Sequence, residues 1–240
     1  MLSARSPSSF EEIREATGWR RPGQGHGCLP TEVFPNIYTA HFHEMDSRDK
    51  LLNGINGIAP GQPVLVLNSA PCQCKADGDF FGDGVSILAI DLEDDPDERK
   101  KFDQGKAVTS ACGDQAVEGK KRCAGDAKQH FHKVSAAIES CLDGNGKVMV
   151  HCHASISRSV VFIAAHVMRT QRRTALDVLR EMKQKWDATW PCDRFVMQLV
   201  EYEKELAQAE ANAGAWFTPM AVGLGIGALL ATAWSRWSRK

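Results

Sequence analysis

Short apolar runs of strand length alternate along the chain with longer stretches in which apolar residues recur at helical spacing. Val64–Leu67 is continuously apolar, as expected of a parallel strand that is buried on both faces. Val85–Ile90 and residues 147–150 are two further strand candidates, and each follows a glycine-rich turn. Helical spacing of apolar residues is found in residues 127–142 and 195–206. We interpret these apolar positions as core.

The first part of the chain adds a short helix and a strand–helix unit. Two serines and the acidic pair Glu11–Glu12 start a helix that Gly18 ends. It lies within residues 1–28, which we expect to be a peripheral N-terminal segment. Ile37–Ala40 is predicted to be a strand that leads into a helix near Asp46–Leu52.

Residues 146–159 combine a strand, a small polar loop and the start of a helix. The apolar run that ends at Val150 predicts a buried strand, and the apolar residues 160–168 predict a helix. The first N–H groups of such a helix lack intrahelical partners and point into the loop, which makes an anion site. The loop also holds one thiol, Cys152, and one guanidinium, Arg158. This arrangement can grip and attack a phosphate group.

The two side chains supply complementary chemistry. Loop amides, a helix N-terminus and a nearby arginine favour the thiolate of a cysteine, so Cys152 would be a nucleophile toward phosphorus. The planar fork of Arg158 can bind two phosphoryl oxygens. The chain has eight cysteines, and only Cys152 has an arginine six positions later. A buried cysteine with a surface arginine, or a zinc site made with His151 and His153, are the alternatives.

The signature His-Cys-x5-Arg-Ser at residues 151–159 resembles the loop of the dual-specificity branch of the cysteine-dependent protein tyrosine phosphatases. The resemblance extends over roughly residues 30–206 and includes Phe34–Tyr38, Val64–Asn68 and Trp190–Phe195. It implies an α/β fold with a central, mostly parallel sheet flanked by helices. It also implies a cysteine nucleophile, a phosphate-binding arginine and an aspartic general acid, without a metal or other cofactor.

The resemblance also assigns roles to individual residues. Asp94 would be the general acid, with Asp95 as the alternate, and Ser159 would hydrogen-bond the departing thiolate of Cys152. His151 would help to set the environment of that cysteine. The phosphate loop, as we call residues 153–158, would hold the phosphoryl oxygens through the backbone amides of His153, Ala154, Ser155, Ile156, Ser157 and Arg158.

The chain departs from the family pattern at two places. Ser155 stands where the family usually has glycine, which is favoured where φ is positive or an anion lies very close. The cell-cycle phosphatases of the rhodanese-like fold also carry serine at the matching position, so Ser155 does not forbid catalysis. Asp94 precedes Cys152 by 58 residues, which is longer than usual. This spacing indicates an insertion at about residues 99–126, which we interpret as a surface loop.

Composition narrows the class of partner. The formal net charge is −1, so nothing favours nucleic acid as a bulk partner. Irregularly spaced cysteines without a secretory leader indicate reduced thiols in a cytosolic setting. Cys72 and Cys74 could form a metal-binding or redox pair. His41 and His43 could be part of a metal site, and Lys120–Arg122 could contact an acidic partner. Ordinary surface residues are the alternative interpretation of the last two.

The C-terminal region has a different pattern, because residues 211–235 contain no Asp, Glu, Lys or Arg. As a helix, Gly214–Trp234 would reach about 30 Å, which is the thickness of a bilayer core. Tryptophans at both ends suit the membrane interfaces. We therefore expect residues 211–235 to be a C-terminal transmembrane anchor. A buried or surface-lying helix, with a cytoplasmic protein, is the alternative.

These observations predict a catalytic domain over residues 29–207 and a membrane-tethered phosphomonoester hydrolase. It would act on phosphoproteins (phosphotyrosine and phosphoserine or phosphothreonine) through a cysteinyl-phosphate intermediate. It would be tail-anchored on the cytosolic face of the endoplasmic reticulum or the mitochondrial outer membrane. One alternative is a phosphoinositide phosphatase, although the phosphate loop has no lysine. The other is an inactive pseudophosphatase that binds phosphopeptides. No pattern predicts an oligomeric state.

Overall fold

The computed structural model describes residues 7–18, 30–42, 62–71, 74, 84–94 and 125–217, with side chains up to residue 212. Several sequence-based predictions therefore lie outside the described residues. They are the helix near Asp46–Leu52, the alternate acid Asp95, most of the insertion, and residues 218–235 of the predicted anchor.

Among the described elements, a short N-terminal helix is followed by four strands, a helix, a fifth strand and three further helices. A short 3-10 helix at Lys128–His130 directly precedes the second α-helix. The strands are β1 (Thr31–Phe34), β2 (Ile37–Thr39), β3 (Val64–Asn68), β4 (Val85–Ala89) and β5 (Lys147–His151). The helices are α1 (Phe10–Ala16), α2 (Phe131–Asp143), α3 (Arg158–Gln171), α4 (Ala175–Lys185) and α5 (Asp193–Phe217).

The five strands form one sheet in the order β1-β2-β5-β3-β4. Only β1 runs antiparallel to its neighbour, whereas β2, β5, β3 and β4 are parallel. The prediction of a central, mostly parallel sheet is therefore confirmed. β5 lies in the middle of the sheet, and Leu65 of β3 lies opposite Val148 of β5. The strand that leads into Cys152 is thus paired with a strand on either side.

The opening of the sheet differs from the prediction. The strand predicted at Ile37–Ala40 is present as β2, but the chain reverses just before it, at Pro35–Asn36, and forms an antiparallel hairpin with β1 that was not predicted. Proline cannot donate a ladder hydrogen bond, and Asn36 adopts a φ of 60° that asparagine tolerates better than most residues. Both residues therefore favour a turn inside the apolar run.

The main core lies between one face of the sheet and the helices α2 to α5. It includes Leu65, Leu67, Val148 and Val150 from the sheet, and every residue of α3 from 158 to 168 is buried. The apolar stripe predicted in residues 195–206 is also buried at Phe195, Leu199 and Tyr202. A smaller cluster on the opposite face contains Tyr38, Ala40, Val64, Val66 and Met149. The sheet is therefore buried on both faces at its centre, as continuous apolar strands require.

The N-terminal helix corrects the prediction that residues 1–28 are peripheral. The predicted helix start is confirmed, because Ser9 and Glu12 form a capping box at the beginning of α1. However, Ile13 is fully buried in the main core, where α1 packs against α4 and α5. The carboxylate of Glu203 in α5 accepts hydrogen bonds from the amides of both Ser8 and Ala175. Residues 7–18, the described part of this segment, are therefore part of the domain.

The last helix crosses the boundary drawn between the domain and the anchor. α5 continues without interruption from Asp193 to Phe217 and thus runs past residue 207, where the predicted catalytic domain ends, into the predicted anchor. Over the described part of the chain, no helix combines the length and the hydropathy that crossing a bilayer requires.

Candidate active site

The predicted nucleophile and the predicted acid follow two parallel strands of the same sheet. Cys152 comes directly after β5, and Asp94 lies five residues beyond the end of β4. Because β3 pairs in parallel with both strands, their carboxyl ends meet at one edge of the sheet. The structure thus brings together two residues that are 58 positions apart in the sequence.

Cys152 is a free cysteine that lies at the base of the loop. It is 2% exposed, and its Sγ accepts a hydrogen bond from the backbone N–H of Ser155 at 3.2 Å. The hydroxyl of Ser159 is 3.8 Å from the same sulfur. Both groups can donate a hydrogen bond to the sulfur, which stabilises a thiolate.

Ser155 is the residue that replaces glycine, and it adopts a backbone conformation that glycine favours. Its φ is 51°, in the left-handed region. The Ser155 hydroxyl is fully buried and donates a hydrogen bond to the carbonyl of Ala40, just after β2. The Ser155 carbonyl accepts a hydrogen bond from the indole of Trp186 at 2.9 Å. The side chain therefore joins the loop to the sheet while the amide faces the sulfur.

Arg158 is the first residue of α3 and is 5% exposed. Its Nη1 donates a hydrogen bond to the carbonyl of Leu92 at 3.2 Å, and its Nε lies 3.6 Å from Oδ2 of Asp94. A guanidinium carries five N–H donors in a planar fork, so it can hold this segment and grip a phosphoryl group at the same time.

Asp94 extends from the segment after β4 toward the phosphate loop, and its side chain is 35% exposed. Its Oδ1 accepts a hydrogen bond from the hydroxyl of Ser157 at 2.9 Å. The Ser157 hydroxyl also accepts a hydrogen bond from the backbone N–H of Cys192, at 3.1 Å. Sequence reasoning assigned only the amide of Ser157 to the site, whereas the structure also uses its side chain.

His151 is fully buried at the end of β5. Burial lowers its pKa to about 4, and the nearby Arg158 adds to this effect, while a contact with the carbonyl of Cys152 opposes it. The Nδ1 atom is 3.0 Å from that carbonyl oxygen, and the ring stacks on Phe42. The imidazole is therefore neutral at neutral pH and supports the turn at the cysteine.

The rest of the phosphate loop is fixed mainly through its backbone. His153 is exposed, and its carbonyl accepts a hydrogen bond from the N–H of Phe42 at 3.0 Å. Ala154 and Ile156 are half-buried, and the carbonyl of Ile156 accepts a hydrogen bond from the N–H of Trp190 at 2.9 Å. The contacts from Phe42 and Trp190 join residues far apart in sequence, and no local motif could have revealed them.

Several alternative interpretations concern metals. Within the described ranges, no group of three or more His, Cys, Asp or Glu side chains is placed to hold a metal ion. Cys74 is buried beside the loop, where its Sγ lies 3.6 Å from the carbonyl of Cys152. Its predicted partner Cys72 lies outside the described residues, as do His43 and the basic run Lys120–Arg122.

The geometry combines a thiol, a guanidinium, a helix N-terminus and a carboxyl group around one small loop. The amides at a helix N-terminus and an arginine fork are suited to a tetrahedral oxyanion. The thiol at the loop base is suited to attack that anion, and the carboxyl group at the rim is suited to proton transfer. The site is therefore built for phosphoryl transfer through cysteine.

Comparison with known proteins agrees with this geometry. The sequence model described as "Dual specificity phosphatase, catalytic domain" matches residues 104–205. Human dual specificity protein phosphatase 1 is 32% identical over 193 residues, which are 80% of this chain and 42% of that protein. The "Putative tyrosine phosphatase 123R" of Invertebrate iridescent virus 6 is 35% identical over 81 residues, or 34% of this chain and 57% of that protein. The chain therefore spans about half the length of these two relatives.

Solved structures share the same fold. The crystal structure of human DUSP28 has a TM-score of 0.52 and 18% identity, and the match covers 74% of this chain and 94% of the other. The chain belongs to the dual-specificity phosphatase branch of the cysteine-dependent protein tyrosine phosphatases. The alignment with the human dual specificity protein phosphatase 1 is consistent with a resemblance that begins well before residue 104.

Proposed function

We propose that the protein hydrolyses phosphate monoesters on tyrosine and on serine or threonine of phosphoproteins. The observation that carries the proposal is the environment of Cys152. Its sulfur accepts a hydrogen bond from the backbone N–H of Ser155, at the base of a loop that also carries Arg158. Asp94 lies at the rim of the same loop, 3.6 Å from the guanidinium.

The first step transfers the phosphoryl group to the enzyme. The thiolate of Cys152 attacks phosphorus, an S–P bond forms, and the P–O bond to the leaving group breaks. Arg158 and the loop amides bind the phosphoryl oxygens as charge spreads onto them. The leaving oxygen takes its electron pair with it and receives a proton from the carboxyl group of Asp94.

The second step releases inorganic phosphate. Asp94, now a carboxylate, accepts a proton from the attacking water as the new P–O bond forms. The S–P bond breaks and its electron pair returns to Cys152 as a thiolate. The hydroxyl of Ser159, 3.8 Å from the sulfur, can donate a hydrogen bond to that thiolate.

Two observations favour a phosphoprotein enzyme over the alternatives. The phosphate loop contains no lysine that would recognise the additional phosphates of an inositol headgroup. Ser155 adopts the φ that this position of the loop needs and directs its amide at Cys152. The substitution of glycine by serine therefore leaves the oxyanion site formed, which argues against a module that only binds phosphopeptides.

The test is phosphate release by the full chain from an aryl phosphate, from phosphopeptides and from a phosphoinositide panel. We expect turnover of phosphopeptides, its loss in Cys152→Ser, and about a 100-fold or larger reduction in Asp94→Asn. Turnover confined to the lipids would support a phosphoinositide phosphatase instead. A folded chain that binds phosphopeptides equally well with cysteine or serine at position 152, without turnover, would establish a pseudophosphatase.

The proposal includes attachment to a membrane through residues 211–235. Its support is the stretch of 25 residues without Asp, Glu, Lys or Arg, followed by Arg236, Arg239 and Lys240. The catalytic domain would then face the cytosol at the endoplasmic reticulum or the mitochondrial outer membrane. In cell fractions, we expect the full chain to resist extraction at alkaline pH; release into the supernatant would exclude a spanning anchor.

A further inference from the structure

Ser157 occupies the N-cap position of α3 but does not cap the helix. A serine at this position normally accepts a hydrogen bond from an amide in the first turn, which is worth about 1 kcal/mol. The Ser157 side chain makes no such bond, and its φ and ψ of −126° and −70° are unusual for an N-cap. The hydroxyl therefore has a different role, and it does not compete with an anion for the amides of the first turn.

The direction of its hydrogen bonds follows from the chemistry of its partners. The backbone N–H of Cys192 can only donate, so the Ser157 oxygen accepts that bond at 3.1 Å. The hydroxyl hydrogen is then directed at Oδ1 of Asp94, at 2.9 Å. Ser157 is 7% exposed, so water competes little for either bond. One buried hydroxyl thus connects the turn before α5 to the carboxyl group of Asp94.

The carboxyl group of Asp94 needs such a connection. Ile90 and Leu92, which follow β4, are buried in the main core, but Asp94 lies two residues further along and its side chain is 35% exposed. With Oδ1 bonded to Ser157, the oxygen that faces Arg158 is Oδ2, at 3.6 Å from Nε. Oδ2 is therefore nearest to the place where Arg158 would hold a phosphoryl group, and it is the oxygen suited to exchange the proton.

We propose that Ser157 is a positioning residue that holds Asp94 over the phosphate loop through one carboxyl oxygen and leaves the other for proton transfer. This inference rests on the proposed phosphatase function. Ser157 itself exchanges no proton with the substrate. Its contribution should therefore appear only when the reaction needs Asp94.

The test uses the full chain and two substrates that differ in their need for an acid. Phenyl phosphate has a poor leaving group that must be protonated, whereas difluoromethylumbelliferyl phosphate has a good one. We expect Ser157→Ala to lower kcat by about 10- to 100-fold on phenyl phosphate and by less than about threefold on the other substrate. In the Asp94→Asn background, Ser157→Ala should have no further effect. Inhibition by vanadate, which reports on the phosphate loop, should stay unchanged.

Ser135→Ala is the matched control, because Ser135 is also buried, at 1% exposed, and its hydroxyl bonds His166 at 2.9 Å rather than Asp94 or a residue of the phosphate loop. It should not change the ratio of the two kcat values. The proposal would be overturned if Ser157→Ala lowered kcat equally on both substrates. It would also be overturned if Ser157→Ala lowered kcat by the same factor in the Asp94→Asn background as in the wild type, or if it weakened inhibition by vanadate. Wild-type turnover that Cys152→Ser leaves intact would instead overturn the proposed function, and this inference with it.

Discussion

Cys152 follows the central strand of the sheet, whereas Asp94 follows an edge strand of its described part. The last four residues of β5 are buried, and so are the first eleven residues of α3. In β4, by contrast, all five residues are at least partly exposed. Ile90 and Leu92 beyond β4 are buried, but the side chain of Asp94 is 35% exposed, whereas Cys152 is 2% exposed. The acid of the proposed site is thus less enclosed than the nucleophile.

This difference indicates how Cys152 and Asp94 are each held in position. The phosphate loop is fixed at both ends by elements of the main core and along its length by hydrogen bonds from Phe42, Trp186 and Trp190, so contacts outside the segment of Asp94 hold Cys152 in place. The segment of Asp94 receives side-chain bonds from the phosphate loop itself, through Ser157 and Arg158. We infer that the acid depends on the loop, while the loop does not depend on the acid.

The largest effect is expected for Arg158→Lys, because this residue serves both parts of the site. Lysine keeps the charge but loses the planar fork that binds two phosphoryl oxygens and the carbonyl of Leu92. We expect kcat/KM to fall by about 100- to 1000-fold on substrates with good and poor leaving groups alike. Vanadate inhibition should weaken in parallel.

Arg169→Lys provides the control for this change. Arg169 lies on the same helix, and its Nη2 forms an ion pair with Glu139 at 2.7 Å near the surface. Its replacement should leave kcat/KM within about twofold of the wild type, as expected for a surface pair. If Arg158→Lys slowed only the substrate with the poor leaving group, Arg158 would act only by positioning Asp94. The inference that the phosphate loop works independently of Asp94 would then be wrong.

An intermediate effect is expected for the dependence of stability on pH. It arises from two buried histidines, His151 in β5 and His166 in α3, the elements on either side of Cys152. Burial lowers the pKa of both His151 and His166 to about 4, with Arg158 and Arg169 respectively adding to the shift. The unfolded chain binds protons at these histidines below about pH 6.5, but the folded chain does so only near pH 4. The free energy of unfolding should therefore fall by about 2 kcal/mol per histidine between about pH 7 and pH 5.

Urea unfolding at a series of pH values measures this slope. His166→Asn replaces the titrating ring with an amide that can still reach the hydroxyl of Ser135, so the slope should decrease by the share of one histidine. Ser135→Ala removes that hydroxyl but keeps the ring, and it should lower stability while retaining most of the slope. A slope that does not change in His166→Asn would contradict the assignment.

The same asymmetry explains which parts of the structure the sequence could predict. The central strands and the loop after β5 were predicted because their signals are local: continuous apolar runs and a motif confined to residues 151–159. The β1–β2 hairpin was missed because an apolar run concealed a Pro-Asn turn. The burial of Ile13 was missed because α1 packs against helices more than 150 residues away in sequence.

Within the site, the sequence indicated which residue types take part but not how they are held. Asp94 was selected among neighbouring acidic residues through resemblance. Its bond to Ser157 depends on the packing of β4 beside β3, which no local pattern encodes. Trp186 is another example, because its indole fixes the carbonyl of Ser155 across 31 positions. Such contacts become visible only when the sheet is assembled.

The smallest effect concerns Ser155, whose side chain contributes to holding the phosphate loop. Its positive φ costs an L-residue about 1 kcal/mol, and the hydrogen bond to Ala40 offsets that cost by a similar amount. Ser155→Ala loses the bond and keeps the strain, whereas Ser155→Gly loses both. We therefore expect the glycine variant to be more stable than the alanine variant by about 1 kcal/mol in urea unfolding.

Ser140 supplies the matched control, because it lies exposed within α2, where φ is negative and alanine is favoured over glycine. There the order should reverse, with Ser140→Ala more stable than Ser140→Gly by about 1 kcal/mol. If Ser155→Ala were at least as stable as Ser155→Gly, the loop would relax away from the positive φ without its serine. The phosphate loop around Cys152 would then be less rigid than its burial indicates. It and the segment of Asp94 would differ only modestly in how firmly they are held.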